Sequence, residues 1–70
     1  MVQIYGKDSC PYTQAARADY ARRGIPFEYI NVKTHASDLE RMLAYSKGRR
    51  AVPVIVDDEK DTVVIGFGGT

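Results

Sequence analysis

Apolar and polar positions alternate weakly at the start of the chain, where Val2, Ile4 and Tyr5 stand among β-favouring neighbours. Gly6-Lys7-Asp8-Ser9 then breaks the pattern, so a strand over Val2 to Tyr5 followed by a loop is expected. From Thr13 to Arg23 there is no Gly or Pro and Ala and Arg dominate, which predicts a helix with Ala16 and Tyr20 on one face and Ala15 and Ala18 free to approach a sheet. Gly24 suits a left-handed cap at its end, and Pro26 blocks any continuation. Phe27 to Val32 reads as a second strand, and the helix between the two strands implies a parallel pair with a right-handed crossover. Ser37-Asp38-Leu39-Glu40 has the form of a capping box, with Ser37 at the N-cap of a helix whose apolar stripe is Leu39, Met42 and Leu43. Gly48 closes that helix. Ala51 to Val56 is a short apolar run that predicts a buried strand, with Pro53 at its start or edge because it has no N–H for a ladder. Asp57 to Asp61 forms an acidic turn, and Thr62 to Ile65 returns as the other arm of a hairpin. The predicted order is β-α-β-α-β-β.

Seventy residues make one domain, 1–70. Ten Lys and Arg are balanced by nine Asp and Glu, scattered rather than blocked, so neither nucleic acid nor an anionic membrane is an expected partner. No apolar run is long enough for a membrane helix, and the first residues lack the charged and apolar regions of a signal peptide. One Cys and one His (His35) can form neither an intrachain disulfide nor a zinc site by themselves, so no metal is expected and His35 reads as a surface residue. A thiol-reducing, cytoplasmic setting fits this composition.

The single cysteine is the chemical focus. Cys10-Pro11-Tyr12-Thr13 lies between the first strand and the first helix, and Pro11 is suited to a helix's first turn, where no amide donor is needed. A thiol there meets unpaired backbone N–H groups and the positive end of the helix dipole, both of which favour the reactive thiolate. The other reading of a lone cysteine is a small buried hydrophobe. Strand, turn, Cys-Pro and helix in succession favour the nucleophile.

This order, with Cys10-Pro11-Tyr12 after strand one, Val52-Pro53 before strand three and Gly66-Phe67-Gly68-Gly69 after strand four, resembles the glutaredoxins. The segments from Gly24 to Val32 and from Gly48 to Val56 are similar to the same family at the matching spacing. The resemblance implies an α/β minimal thioredoxin fold, a four-stranded mixed sheet in the order 2-1-3-4 with helices on both faces. It also implies glutathione-dependent thiol–disulfide exchange, with glutathione as co-substrate and no bound cofactor. Thr13 stands where dithiol members have a second cysteine, so the chemistry implied is a monothiol one. Members with one cysteine known for iron–sulfur work usually carry Cys-Gly-Phe-Ser, which Pro11 and Tyr12 do not match. Glutaredoxin-like selenoproteins are also similar, and in them selenocysteine holds the place of Cys10.

The residue roles follow from the resemblance. Cys10 would attack the glutathione sulfur of a mixed disulfide, and a second glutathione would free it. Thr13 would cap the helix or donate a hydrogen bond to the thiolate. Lys7 would lower the thiol pKa and meet a glutathione carboxylate, while Pro11 and Tyr12 flank the tripeptide. Val52, before a cis Pro53, would pair its backbone with the cysteinyl part of glutathione, and the amides of Gly68 and Gly69 would cradle the γ-glutamyl carboxylate. Arg49 and Arg50 read either as an attraction for anionic glutathione or as a solvated pair at the helix exit. Family members usually continue into a final helix that this chain lacks or truncates, which would expose apolar side chains of strands three and four on the side of helix one and allow a homodimer through that face. The partners expected are glutathione and glutathionylated or disulfide substrates. Two other readings stand beside the enzyme: a dimer binding an iron–sulfur cluster through Cys10 and glutathione, and a redox-inert interaction domain.

Overall fold

Six elements follow one another: β1 (Val2–Gly6), α1 (Pro11–Arg22), β2 (Phe27–Asn31), α2 (Ala36–Ser46), β3 (Val54–Asp57) and β4 (Thr62–Ile65). The structure is a computed structural model and describes residues 1–68. The strands form one sheet in the order β2-β1-β3-β4. β1 runs parallel to β2, with Val2 opposite Phe27 and Tyr5 opposite Ile30, and antiparallel to β3, with Ile4 opposite Ile55. β3 and β4 form the antiparallel hairpin, with Ile55 opposite Val64. This is the mixed sheet of the minimal thioredoxin fold.

The strand period of two sorts the apolar residues onto two faces. Tyr5, Ile30, Val54 and Val56 pack with Met42 of α2, and Leu39 and Leu43 lie against the same cluster. Val2, Ile4 and Ile55 pack with Ala16 of α1, flanked by Tyr20, Phe27, Tyr29 and Phe67. Ala16 is fully buried, and its small side chain lets the start of α1 approach the sheet closely. Burial of each Val, Ile or Met contributes about 1.5–3 kcal/mol. Two such clusters fix both helices against the sheet, and with them the loop that leads out of β1.

The helix ends explain where the chain turns. At the end of α1, Gly24 takes the left-handed conformation (φ +71°). The amides of Gly24 and Ile25 bond the carbonyls of Ala21 and Tyr20 at 3.1 and 3.0 Å, a Schellman ending. α2 begins earlier than the expected capping box. Its N-cap is His35, with no side-chain capping bond, so Ser37 lies inside the first turn. The cause is the turn before it: the Asn31 side-chain oxygen accepts the Lys33 amide at 2.9 Å and the Asn31 carbonyl accepts the Thr34 amide at 3.2 Å. This winds the chain so that the His35 carbonyl is already the first helical acceptor, from Asp38 at 3.1 Å. β3 starts at Val54, so Ala51 to Pro53 approach the sheet without joining it.

The expected open face is only half open. Val64 is 53% exposed, but Ile55 is 4% exposed, in a cluster with Val2, Ile4 and Ala16 of α1 onto which Phe67 also packs. Among the described residues there are two helices, and neither is long and apolar enough to cross a membrane.

Candidate active site

Cys10 is placed by the end of one strand and the start of one helix. β1 ends at Gly6, and a turn closed by the Cys10 amide on the Lys7 carbonyl (3.2 Å) brings the chain to α1. Cys10 is the N-cap of that helix in extended conformation (φ −89°, ψ 117°), Pro11 occupies the first turn, and no acidic residue lies in that turn. Its carbonyl accepts the Gln14 amide at 3.1 Å, so the helical ladder begins at the cysteine. The side chain is buried at 8% exposure, and Sγ lies 3.9 Å from the Val52 carbonyl oxygen.

Burial is the largest single influence on the thiol and opposes its ionisation. Against it act hydrogen bonding by the Thr13 hydroxyl, the backbone amides of Thr13 and Tyr12, and the positive charge of Lys7. The balance holds the Cys10 pKa below its ordinary value. Thr13 sits in the interior, and its buried Oγ1 has no regular hydrogen-bond partner, while the thiol is paired with the Val52 carbonyl. The two observations are compatible: the neutral thiol donates to Val52 and is only a weak acceptor, so the Thr13 hydroxyl favours the thiolate, the stronger acceptor. Gly6 makes room for this hydroxyl. A Cβ at Gly6 would stand 2.5 Å from Thr13 Oγ1 and 3.0 Å from its Cβ.

Opposite the sulfur, the Val52–Pro53 peptide is cis. Pro53 is buried, and its carbonyl accepts the Gly66 amide at 2.8 Å, which ties this segment to the end of β4. Val52 is half-buried with its carbonyl toward Cys10. Pro11 is exposed, and Tyr12 is exposed beside the sulfur. Lys7 is half-buried in the preceding loop, near enough for its charge to act on the thiol. The structure thus gathers Cys10, Thr13, Tyr12, Lys7, Val52 and Pro53. Gly68 is exposed in a left-handed conformation with open space around it, and Gly69 lies outside the described residues. Arg49 and Arg50 are exposed at the exit of α2, where the Arg49 carbonyl accepts the Ser46 hydroxyl at 2.6 Å. His35 is exposed at the other helix start.

Sequence reasoning missed a polar group beside the cysteine. The Tyr29 hydroxyl donates to Asp8 Oδ1 at 2.7 Å, and Arg17 stacks over the Tyr29 ring at 3.8 Å. Burial and the Asp8 carboxylate push the Tyr29 phenol up to about 12, with a further contribution from Cys10 itself. The one sequence signal was the spacing Cys10, Gln14, Arg17, which puts all three on one helix face. Among the described residues, no three His, Cys, Asp or Glu side chains meet as a metal site would need.

Comparison with known proteins agrees with this fold. The family model described as Glutaredoxin matches residues 2–61. Glutaredoxin 3 of Escherichia coli (strain K12) is 37% identical over 57 residues, 81% of this chain and 68% of that protein. The crystal structure of the glutaredoxin (grx-1) from Archaeoglobus fulgidus superposes with a TM-score of 0.83 at 28% identity, over 96% of this chain and 75% of that one. The glutaredoxin-like protein NrdH-redoxin from Escherichia coli gives 0.80 at 28% identity, over 96% of this chain and 83% of that one. NrdH-redoxin has a thioredoxin-like activity profile.

Proposed function

Since this chain belongs to the glutaredoxin family of redox proteins, we propose that it is a thiol–disulfide oxidoreductase that uses Cys10 alone to reduce glutathione mixed disulfides. One observation carries this reading: a buried thiol, held below its ordinary pKa at a helix start free of acids, faces the backbone of a cis-proline segment.

In the first half-reaction the Cys10 thiolate attacks the glutathione sulfur of a mixed disulfide. The old S–S bond breaks, and the substrate sulfur leaves as a thiolate that takes a proton from water. In the second, a glutathione thiolate attacks the glutathionyl sulfur on Cys10, releasing oxidised glutathione and restoring the Cys10 thiolate. Two glutathione units become one disulfide, and the two electrons go to the substrate thiol. Thr13 has no sulfur with which to resolve the intermediate, so the resolving thiol is external. Thr13, the amides of Tyr12 and Thr13, and Lys7 hold Cys10 as the better leaving and attacking group. Val52 pairs its backbone with the cysteinyl unit in the manner of an added strand. Lys7 meets a carboxylate, Pro11 and Tyr12 border the tripeptide, and Gly68 with Gly69 receives the γ-glutamyl end. Such turnover requires a thiol-reducing compartment, which is the cytoplasmic setting.

The likeness to NrdH-redoxin favours a second reading, in which a protein reductase supplies the electrons instead of glutathione. One experiment separates them. Cys10 alkylation is followed against pH, and turnover of a glutathione mixed disulfide is measured with glutathione plus glutathione reductase or with thioredoxin reductase. The first reading expects thiolate formation well under the free-thiol value of about 8.5 and turnover only with glutathione. Cys10→Ser abolishes turnover, and Lys7→Ala moves the alkylation midpoint upward and weakens glutathione use. Turnover with thioredoxin reductase alone overturns the first reading in favour of the second. A Cys10 that alkylates as an ordinary free thiol overturns both.

A further inference from the structure

Four side chains close a ring around the loop that carries Cys10. Gln14 Nε2 donates to the Asp8 carbonyl at 2.9 Å, and Arg17 Nη1 donates to Gln14 Oε1 at 3.2 Å. Arg17 in turn lies 3.8 Å over the ring of Tyr29, whose hydroxyl returns to Asp8 Oδ1 at 2.7 Å. The ring joins the loop, α1 and β2, and its only member on the loop is Asp8, two residues before the cysteine. Each contact taken singly is solvent-exposed and weak. Closure changes that, because Asp8 is held through its carbonyl by the helix and through its carboxylate by the strand. We infer that Tyr29 and Asp8 are positioning residues that hold the loop from Lys7 to Cys10, and with it the sulfur, against the Val52 carbonyl.

The inference rests on Cys10 being the nucleophile proposed above. The charged groups on the elements around it are Lys7 and Asp8 on the loop and Arg17 on α1, with the neutral Tyr29 phenol on β2 and the uncharged Val52 backbone opposite. While Tyr29 engages it, the Asp8 carboxylate is turned toward β2. Without the phenol, that carboxylate is released two residues from a thiolate that it repels, and the loop loses its link to the sheet.

The test measures two quantities on the whole chain, the pH midpoint of Cys10 alkylation and kcat/KM for a glutathione mixed disulfide. Tyr29→Phe keeps the ring under Arg17 and removes only the hydroxyl. It is expected to move the midpoint toward the free-thiol value and to lower kcat/KM by roughly fivefold to tenfold, as displaced reacting groups do. Asp8→Ala removes the acceptor and should lower kcat/KM without raising the midpoint, because the charge goes with it. Asp8→Asn keeps an acceptor for the phenol and should stay within about twofold of the parent chain. The double variant Asp8→Ala, Tyr29→Phe should be no worse than the poorer single one, since both delete the same bond. An unchanged midpoint and kcat/KM in Tyr29→Phe, or single effects that multiply in the double variant, overturn the inference. If Tyr29→Phe fails to fold, Asp8→Ala and Asp8→Asn read the same bond without touching β2. If the parent chain shows no glutathione turnover, the functional reading fails, and the alkylation midpoints still decide the positioning role.

Discussion

α1 and α2 both begin on an extended residue whose side chain makes no capping bond, Cys10 in one and His35 in the other. Both starts offer unpaired amides and the positive end of a helix dipole. At α2 that potential is dissipated in water. His35 is 70% exposed, and Asp38 in the first turn answers the dipole, with Arg41 and the His35 ring nearby at 3.5 and 3.7 Å. At α1 no acid lies in the first turn, the cap is buried, and a hydroxyl without a regular partner sits beneath it. A helix start is therefore not a site by itself. Burial, the absence of a competing acid, and a facing backbone edge turn the same dipole toward one sulfur.

The comparison breaks most severely at Gly6. A methyl group there collides with the β-branched side chain of Thr13, whose stem cannot swing away as a flexible tip would. Gly6→Ala should cost about 1–3 kcal/mol of stability, seen as a lowered denaturation midpoint, and should raise the pH of Cys10 alkylation as Thr13 is displaced. Thr13→Val separates stability from chemistry at the same spot. It removes a buried hydroxyl that has no regular partner at the thiol stage, so stability should change by less than about 1 kcal/mol. The thiolate loses a donor, so the alkylation midpoint should rise and turnover should fall. The sign follows from the shift: Cys10 has a depressed pKa, so its stabilising contribution is present above the unfolded value and is lost as pH falls through the folded one. The smallest effect sharpens the comparison from both sides. Cys10→Ser should leave stability within about 1 kcal/mol, since the sulfur already engages the amides of Tyr12 and Thr13, whereas His35→Ser supplies a new capping hydroxyl and should raise it by about 0.5–1 kcal/mol. Only the first should remove turnover, and His35→Ser should leave Cys10 alkylation as it was.

Much of this was legible in the chain, because the elements are coded locally. The hydrophobic periods, Gly24 and Pro26, and the stripe of Leu39, Met42 and Leu43 all act through neighbours a few residues away. Ser37 misled for the same reason: a four-residue signature was outweighed by the Asn31 turn upstream, which sets where the first helical carbonyl falls. Ile55 misled in another way, since Phe67, an aromatic residue after β4, joins Ala16 of α1 in its cluster where a final helix was expected to provide the cover. The helix spacing hinted at Gln14 and Arg17, but the closure of their ring through Asp8 and Tyr29 was not legible, because it forms only when β2 lies beside β1. Tyr29 reads in the sequence as one more strand aromatic, and nothing about it alone points 21 residues back to Asp8.

The tight seat of residue 13 under Gly6 also bears on how the redox couple is built. Helix geometry places residues three apart on the same side of α1, and Thr and Cys differ little in bulk. The pocket that holds a hydroxyl could thus hold a thiol, giving a dithiol with its own reduction potential in equilibrium with the cell's thiol buffer. With threonine there, residues 10 and 13 cannot form that couple, and any disulfide at Cys10 takes its second sulfur from outside the site.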